Sequence, residues 1–276
     1  MTAEVRDAGC EVVTTRSGAR AMRDRATGEL MHPVVGPRLE AEKLYVEASR
    51  LEARLADGAP GPLVLLDVGL GAGSNALAAW KLSERLPAPA RRLTMTSFDR
   101  TTSAIELALS PEHAEAFGFE GDALRAARAV VSDGRHETSR SVWRLERGEL
   151  PATLARVPGG SAEVVFWDPF SPRANPALWS TAAFAVLRRA CRDGATVYTY
   201  SAATATRSAL LLAGFAVGVG DAIDPSKQTT HAAVDVHALA RPLDRRWLER
   251  LARSSAPFPV DAPADALARI AAMPQF

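Results

Sequence analysis

The stretch LVLLDVGLGAGSNALAAW, residues 63–80, decides the fold. It opens with an apolar run of strand length, passes through Gly69, Gly71 and Gly73, and continues into residues that favour a helix. A buried strand, a glycine-rich turn and a helix in that order make the first βα unit of a nucleotide-binding α/β sheet. Outward from this unit the alternation of strand and helix repeats. Residues 93–98, 142–145, 162–167 and 195–200 read as further strands, and residues 75–86, 102–109, 176–192 and 204–213 as helices. Residues 215–219 and 231–239 read as the antiparallel pair that closes such a sheet.

The spacing inside the turn separates two cofactors. A dinucleotide fingerprint is G-x-G-x-x-G, with the pyrophosphate over the helix N-terminus. Here the glycines run G-x-G-x-G, and Ser74 stands where the third would fall. S-adenosylmethionine (SAM) has no pyrophosphate, but its amino-acid tail and ribose can lie against a backbone bared by glycines. Asp67, two residues before the first glycine, is the acid expected near the methionine ammonium, directly or through water. Asp99 ends the second strand, where a carboxylate accepts hydrogen bonds from ribose hydroxyls; the other reading is an exposed loop aspartate. Glu149, in the turn after the third strand, is the candidate for the exocyclic amine of adenine, with a solvated turn glutamate as its alternative. These features predict an α/β fold of the class I SAM-methyltransferase, Rossmann-like type, with a seven-stranded, mostly parallel sheet and an N-terminal arm and helix.

Residues 1–60 are expected to form that arm and helix and to cover the cofactor cleft, with Leu44, Ala48, Leu51 and Leu55 on the apolar face of one helix over 38–55. His32, beside Pro33, is the arm's candidate at the SAM cleft. Residues 61–240 form the methyltransferase domain, and residues 241–276 a short basic helix and a tail in which SSAPFPVDAP reads as a linker. At 276 residues and 47% hydrophobic, the chain is long enough for one large core. Its net charge of +1 does not advertise a polyanionic partner, although local patches can. The candidate basic faces are Arg188, Arg189 and Arg192, or Arg241, Arg245, Arg246 and Arg250; a solvated arginine-rich surface explains them equally. Only 3 of the 33 basic residues are lysine, which reads as coding bias. Cys10 and Cys191 have neither metal spacing nor a disulfide framework. His231 and His237, six apart on a predicted strand, share a face but lack a third ligand, so no metal is expected. No run has membrane length and no signal-peptide pattern is present, so a cytoplasmic location is expected.

The chemistry concentrates at the end of the fourth strand, in FWDPFSP. Methyl transfer from a sulfonium is an in-line displacement, so a lone pair on the acceptor must be aligned and unprotonated. An amine is mostly protonated at neutral pH, and a carboxylate that takes or shares its proton contributes about 10²–10⁴-fold. Asp168 fits that role. Asp-Pro-Phe is also similar to the [DN]-P-P-[YF] loop of amino-group methyltransferases, and Phe170 is placed to stack on the base that carries the amine. Trp167 and Trp179 read as core.

Taken together, these motifs resemble a known family. Residues 166–180, FWDPFSPRANPALWS, are similar to the D-x-F-S-P-x-x-N-P-x-[ML]-W segment of the MnmC-type methyltransferases, tRNA enzymes that methylate 5-aminomethyl-2-thiouridine at the wobble position. The G-x-G-x-G-x-N turn ending in Asn75, the Gly148-Glu149 pair and TYSAATATRSALLLAGF, residues 199–215, match further family segments. So do TTRSGARAM and MHPVVGPRLEAEKLYVEASRL in the arm. The resemblance spans roughly residues 14–238. It implies SAM-dependent N-methylation, with Asp168 deprotonating the amine, Asp99 as the ribose acid, Glu149 on the adenine side, and tRNA as the partner. Pro169 departs from the family's Gly or Ala, and Arg16-Ser17-Gly18 from its acidic D-G-S. Two-domain members also carry an FAD-dependent oxidase for which this chain has no room, so it resembles the stand-alone methyltransferase.

Three other readings share parts of this sequence. A small-molecule amine could be the acceptor, in a closed pocket; the fold could serve as a non-catalytic SAM-binding partner; or the chain could transfer aminopropyl groups, which calls for more acids than lie near Asp168.

Overall fold

A central strand of a parallel sheet covered on both faces must itself be apolar on both, and the run before the glycine turn meets that condition. The computed structural model describes residues 9–15, 17–31, 36–223 and 227–276. The chain begins with a hairpin, β1 (Cys10–Thr14) and β2 (Arg20–Asp24), then α1 (Pro37–Glu40), a π-helical segment (Ala41–Glu47) and α2 (Leu51–Leu55). The main sheet is built from β3 (Leu63–Val68), β4 (Leu93–Asp99), β5 (Arg135–Glu137), β6 (Ser141–Arg147), β7 (Ala162–Trp167), β8 (Cys191–Thr199), β9 (Ala216–Gly220) and β10 (Thr229–Ala233). Its helices are α3 (Ser74–Arg85), α4 (Ser103–Ala108), α5 (Gly121–Asp133), α6 (Thr181–Ala190), α7 (Thr204–Leu212), α8 (Arg245–Ala252) and α9 (Ala266–Ala271).

The strand order is β5-β6-β4-β3-β7-β8-β10-β9, parallel from β6 to β8 and antiparallel at β5 and β10. The sequence therefore steps outward one way from β3 to β4 and β6, then returns to β7 on the other side. Ligands of open α/β sheets bind at the carboxyl ends of the strands where that reversal occurs. Here the reversal brings together the ends of β3 and β7, which carry the glycine turn and Asp168.

Alternate residues of the strands feed two cores, as the two-residue period requires. Leu65, Met95, Trp143, Val164 and Phe166 pack with Tyr45, Leu77 and Trp80 on one face. Leu66, Val68, Phe98, Val165 and Trp167 pack with Phe184, Leu210 and Trp247 on the other. Trp167 and Trp179 are core residues, at 0% and 3% exposure.

Several expectations are corrected. The main sheet has eight strands rather than seven, because Arg-His-Glu at 135–137 pairs antiparallel with β6 as a short, polar edge. Residues 38–55 do not form one helix: the π-helical segment and Arg50, at φ 53°, interrupt it. β10 ends at Ala233, and the Asp235 carboxylate accepts from His237 N–H at 2.9 Å in a following 3₁₀ turn, so His237 does not share a strand face with His231. His231 instead stacks on Tyr198 with centroids 4.5 Å apart, and burial, then Arg54, pushes its imidazole down to about 4. Among the described residues no group of His, Cys, Asp and Glu could hold a metal, and no helix is long and apolar enough to cross a membrane.

The tail packs back on the second face. Asp261 accepts from the N–H groups of Thr181 and Ala182 at the start of α6, at 3.0 and 2.9 Å, an arrangement favoured by the helix dipole. Gln275 bonds Val217 N–H at 2.8 Å and donates to Val217 O at 2.6 Å and Leu243 O at 3.0 Å.

Candidate active site

The glycine turn is drawn tightly around the end of β4. Gly69 and Leu70 N–H both donate to Phe98 O, and Gly71 N–H donates to Asp99 Oδ2 at 3.0 Å. All three glycines have positive φ, but Gly69 is the one pressed against backbone: a Cβ there would lie 2.5 Å from Asp168 O and 2.8 Å from Pro169 N. The bare backbone at Gly69 thus lets the turn touch the loop after β7. Asp99 is partly exposed; burial raises its carboxyl, offset in part by the N–H groups of Gly71 and Thr101. Across the same sheet end Asp99 pairs in register with Arg147, and Glu149 follows, exposed, with its carbonyl taken by Thr153 N–H. Two carboxylates at neighbouring strand ends beside a stripped backbone fit a nucleoside with hydroxyl and amine donors.

Asp168 is partly exposed, with Asn75 Nδ2 donating to its Oδ2 at 2.6 Å. Asn75 is the second residue of α3, so the helix that follows the glycine turn reaches directly to the strand-end acid. The loop beyond is held by two aromatic donors. Tyr200 O–H donates to Pro169 O at 3.0 Å, Trp179 Nε1–H donates to Phe170 O at 2.8 Å, and the two rings meet edge to face at 5.7 Å. Phe170 itself is half-buried. Tyr200 is pushed far up by burial, then by Asp168 and Glu29, so it remains a donor at any working pH. Tyr45 is treated the same way by burial and the Asp168 carboxylate.

Asp67 lies beneath the turn, fully buried, and accepts from Ser97 O–H at 2.7 Å; Ser97 Oγ in turn accepts from Trp143 Nε1–H at 3.0 Å. It lies two residues before Gly69, inside the sheet. The sequence brings Asp168, Asn75, Gly69, Gly71 and Asp99 together as expected of neighbouring strand ends. Gly73 closes the turn by donating to Leu70 O at 2.7 Å. His32 lies outside the described residues.

The residues that sequence reading missed come from the N-terminal segment. Glu29 accepts from Ser171 N–H at 2.9 Å and from the Ser171 hydroxyl, which clasps the hairpin to the loop after Asp168. Met31 lies over the turn, its sulfur 3.2 Å from where a Gly71 Cβ would be. No local pattern marks either one, because the contacts span more than a hundred residues of sequence or depend on the hairpin's fold. Glu29→Ala is expected to release the clasp by about 1.5 kcal/mol, the lower range for a charged acceptor that is partly solvated. Amide exchange at Ser171 should then quicken roughly tenfold, and unchanged exchange there would remove the clasp.

Neither basic cluster picked from sequence borders this site. Arg189 donates to Ala155 O and Val157 O, Arg192 pairs with Glu163 at 2.7 Å at the amino end of β7, and Arg188 lies over the Phe215 ring. Arg241 pairs with Asp221, and Arg245 donates to Phe276 O. Exposed guanidiniums at the carboxyl end of the sheet include Arg100, Arg147 and Arg173, none of the three with an ion pair among the described residues.

Residues 131–235, which include β7 and the Asp168 loop, match a family model described as S-adenosyl-L-methionine-dependent methyltransferase. The chain is a SAM-dependent methyltransferase. This methyltransferase is 29% identical over 224 residues to the tRNA 5-methylaminomethyl-2-thiouridine biosynthesis bifunctional protein MnmC of Methylibium petroleiphilum, across 80% of this chain and 34% of that one. To MnmC of Ralstonia nicotianae it is 33% identical over 182 residues, across 63% and 27% of the two chains. It is thus related to MnmC and spans about a third of the length of these curated relatives. Its fold matches the crystal structure of MNMC2 from Aquifex aeolicus with a TM-score of 0.74 at 23% identity, covering 98% of this chain and 87% of that one.

Proposed function

We propose that this methyltransferase methylates a primary amine on a tRNA wobble uridine, the 5-aminomethyl group of (2-thio)uridine. The observation that carries the reading is the contact between the glycine turn and the Asp168 loop. The one carboxylate in that loop sits where the turn's backbone would present a methyl donor, and Asn75 holds it there. The names of the relatives point to the same acceptor.

Bound SAM supplies a methyl group on a sulfonium, an electrophile. Asp168 accepts the amine's proton and fixes the direction of its lone pair. Asp99, with Gly71, holds the ribose side, Glu149 the adenine side, and the glycine backbone the amino-acid tail, with Asp67 supporting it from below. Phe170 offers a ring face for the uracil. The N-terminal segment, residues 1–60, covers the cleft, which the positions of Met31 and Glu29 support.

An RNA acceptor is favoured over a small amine by the arginines at the rim. Arg100, Arg147 and Arg173 are exposed at the same sheet end as Asp168, where phosphates of a docked stem-loop would pass. Replacing all three by Gln is expected to weaken tRNA binding and to flatten its dependence on log salt by about one unit per arginine removed. An unchanged slope would shift the reading to a small-molecule amine. The direct assay is methyl transfer from labelled SAM to undermodified tRNA, followed by nucleoside mass spectrometry. Label in 5-methylaminomethyl uridines supports the proposal; label on a free amine alone overturns it.

A further inference from the structure

Two buried polar atoms that find no hydrogen bond among the described residues border the same carboxylate. One is Asn75 Oδ1, left over when Asn75 Nδ2 donates to Asp168. The other is Tyr45 Oη, on a side chain only 1% exposed. An aromatic residue is needed at position 45 to fill the space against Phe166, whose ring lies 5.3 Å away at 55°. A phenylalanine would fill it without burying an unsatisfied hydroxyl, which is disfavoured inside a protein. Packing therefore accounts for the ring and leaves the hydroxyl unexplained.

The backbone that carries Tyr45 points the same way. Tyr45 is fully buried and Leu44 half-exposed on a stretch, residues 41–47, that is wound as a π-helix. Such turns are rare and concentrate at functional sites. This one delivers the phenol beneath β7, against Phe166. Asp168 lies two residues on, which is the same face of the chain. The hydroxyl faces the Asp168 carboxylate, and that carboxylate together with burial keeps the phenol protonated.

We propose that Tyr45 is a positioning residue for the amine-binding carboxylate: its hydroxyl turns to donate to Asp168 in the free protein and keeps that bond as the acceptor amine arrives, while Asn75 Oδ1 receives an N–H of that amine. The inference rests on the amine-methylation reading for its ligand, and not for the pairing of Tyr45 with Asp168. The step it serves is proton removal. One N–H bond of the ammonium breaks, an O–H bond forms on Asp168, and the proton then passes to water. Tyr45 keeps its own proton throughout. Among the described residues, the titratable groups that face Asp168 include Tyr45 from the π-helix, Tyr200 beyond β8, and Glu29 from the segment after the hairpin.

Tyr45→Phe tests this in the full chain without disturbing the ring. In protein carrying [¹³C]carboxyl aspartate, with Asp168→Asn to assign the signal, the Asp168 titration is expected to move up by about one pH unit when the donor is lost. The acid limb of the methylation profile on undermodified tRNA should move with it, SAM affinity should be unchanged, and the melting temperature should not fall. An Asp168 titration that is identical in the two proteins overturns the proposal. So does a lower melting temperature with no shift, which would make the hydroxyl a packing group. If the titration moves and the wild-type protein methylates no tRNA, the pairing stands and the acceptor assignment fails.

Discussion

Asp168→Asn retains SAM binding and lowers methyl transfer by about 10²–10⁴-fold, the range for loss of a positioned acid or base. The substitution preserves shape. Asn75 Nδ2 can still donate to the amide oxygen that replaces Oδ2, so the helix-to-loop contact survives. The backbone around residue 168 is fixed independently of the side chain, by its N–H on Val68 O at 2.8 Å and by the bare Gly69 against its carbonyl. What disappears is a base able to take a proton from an ammonium at neutral pH. The acceptor is then reactive only as its own free amine, so the residual rate should climb with pH toward the amine's intrinsic range. Calorimetric titration with SAM and single-turnover methylation across pH check the two halves. A rate within threefold of wild type would end Asp168's role as base. Loss of SAM binding would instead mark it as part of the cofactor site.

Gly69→Ala is expected to be the most damaging small substitution in the turn. Two effects add. The residue sits at φ 96°, where a side chain is strained by about 1–3 kcal/mol. Its Cβ would also meet Asp168 O at 2.5 Å and Asp168 C at 2.7 Å, backbone atoms that cannot swing aside as a flexible side chain would. Forcing them apart adds about 1–3 kcal/mol. The sum should lower the melting temperature by roughly 5–15 °C. Any surviving folded enzyme would hold the turn and the base farther apart and transfer methyl groups poorly. Gly58→Ala is the control, since Gly58 has φ 70° but nothing within 4 Å of where a Cβ would stand. It carries the strain without the collision. If thermal denaturation finds the two variants equally destabilised, the close approach of turn and loop is not what Gly69 provides.

What could be read from the sequence was whatever depends on strong local contrast. The central strands announce themselves as apolar runs because both their faces are covered, and Gly69 and Asp168 follow from the ends of two such runs. α5 was missed because its buried face is Ala123, Ala126, Ala127 and Val130, small residues that hardly stand out from an alanine-rich background. β5 was missed because an edge strand of Arg-His-Glu has no apolar face to show. The π-helix escaped for a different reason: its winding is a property of the backbone, and hydropathy averaged over a helix cannot resolve it. Glu29 is visible only once the hairpin has been folded onto the loop after β7. The arginines near 188–192 are conspicuous in sequence and end elsewhere in the fold, held by Ala155, Val157 and Glu163, whereas Arg100, Arg147 and Arg173 are scattered in sequence and share one end of the sheet.

β9 lies at the outer edge of the main sheet, where unpaired backbone groups can template the strand of another molecule. That template is already filled. Val219 N–H donates to Arg241 O, Leu243 N–H donates to Val217 O, and the side-chain amide of Gln275 takes the two groups of Val217 as a strand's peptide would. One glutamine thereby acts as a surrogate peptide unit. Growth of the sheet into a neighbouring molecule is left to the β5 edge, where three residues and two charges offer little to pair with.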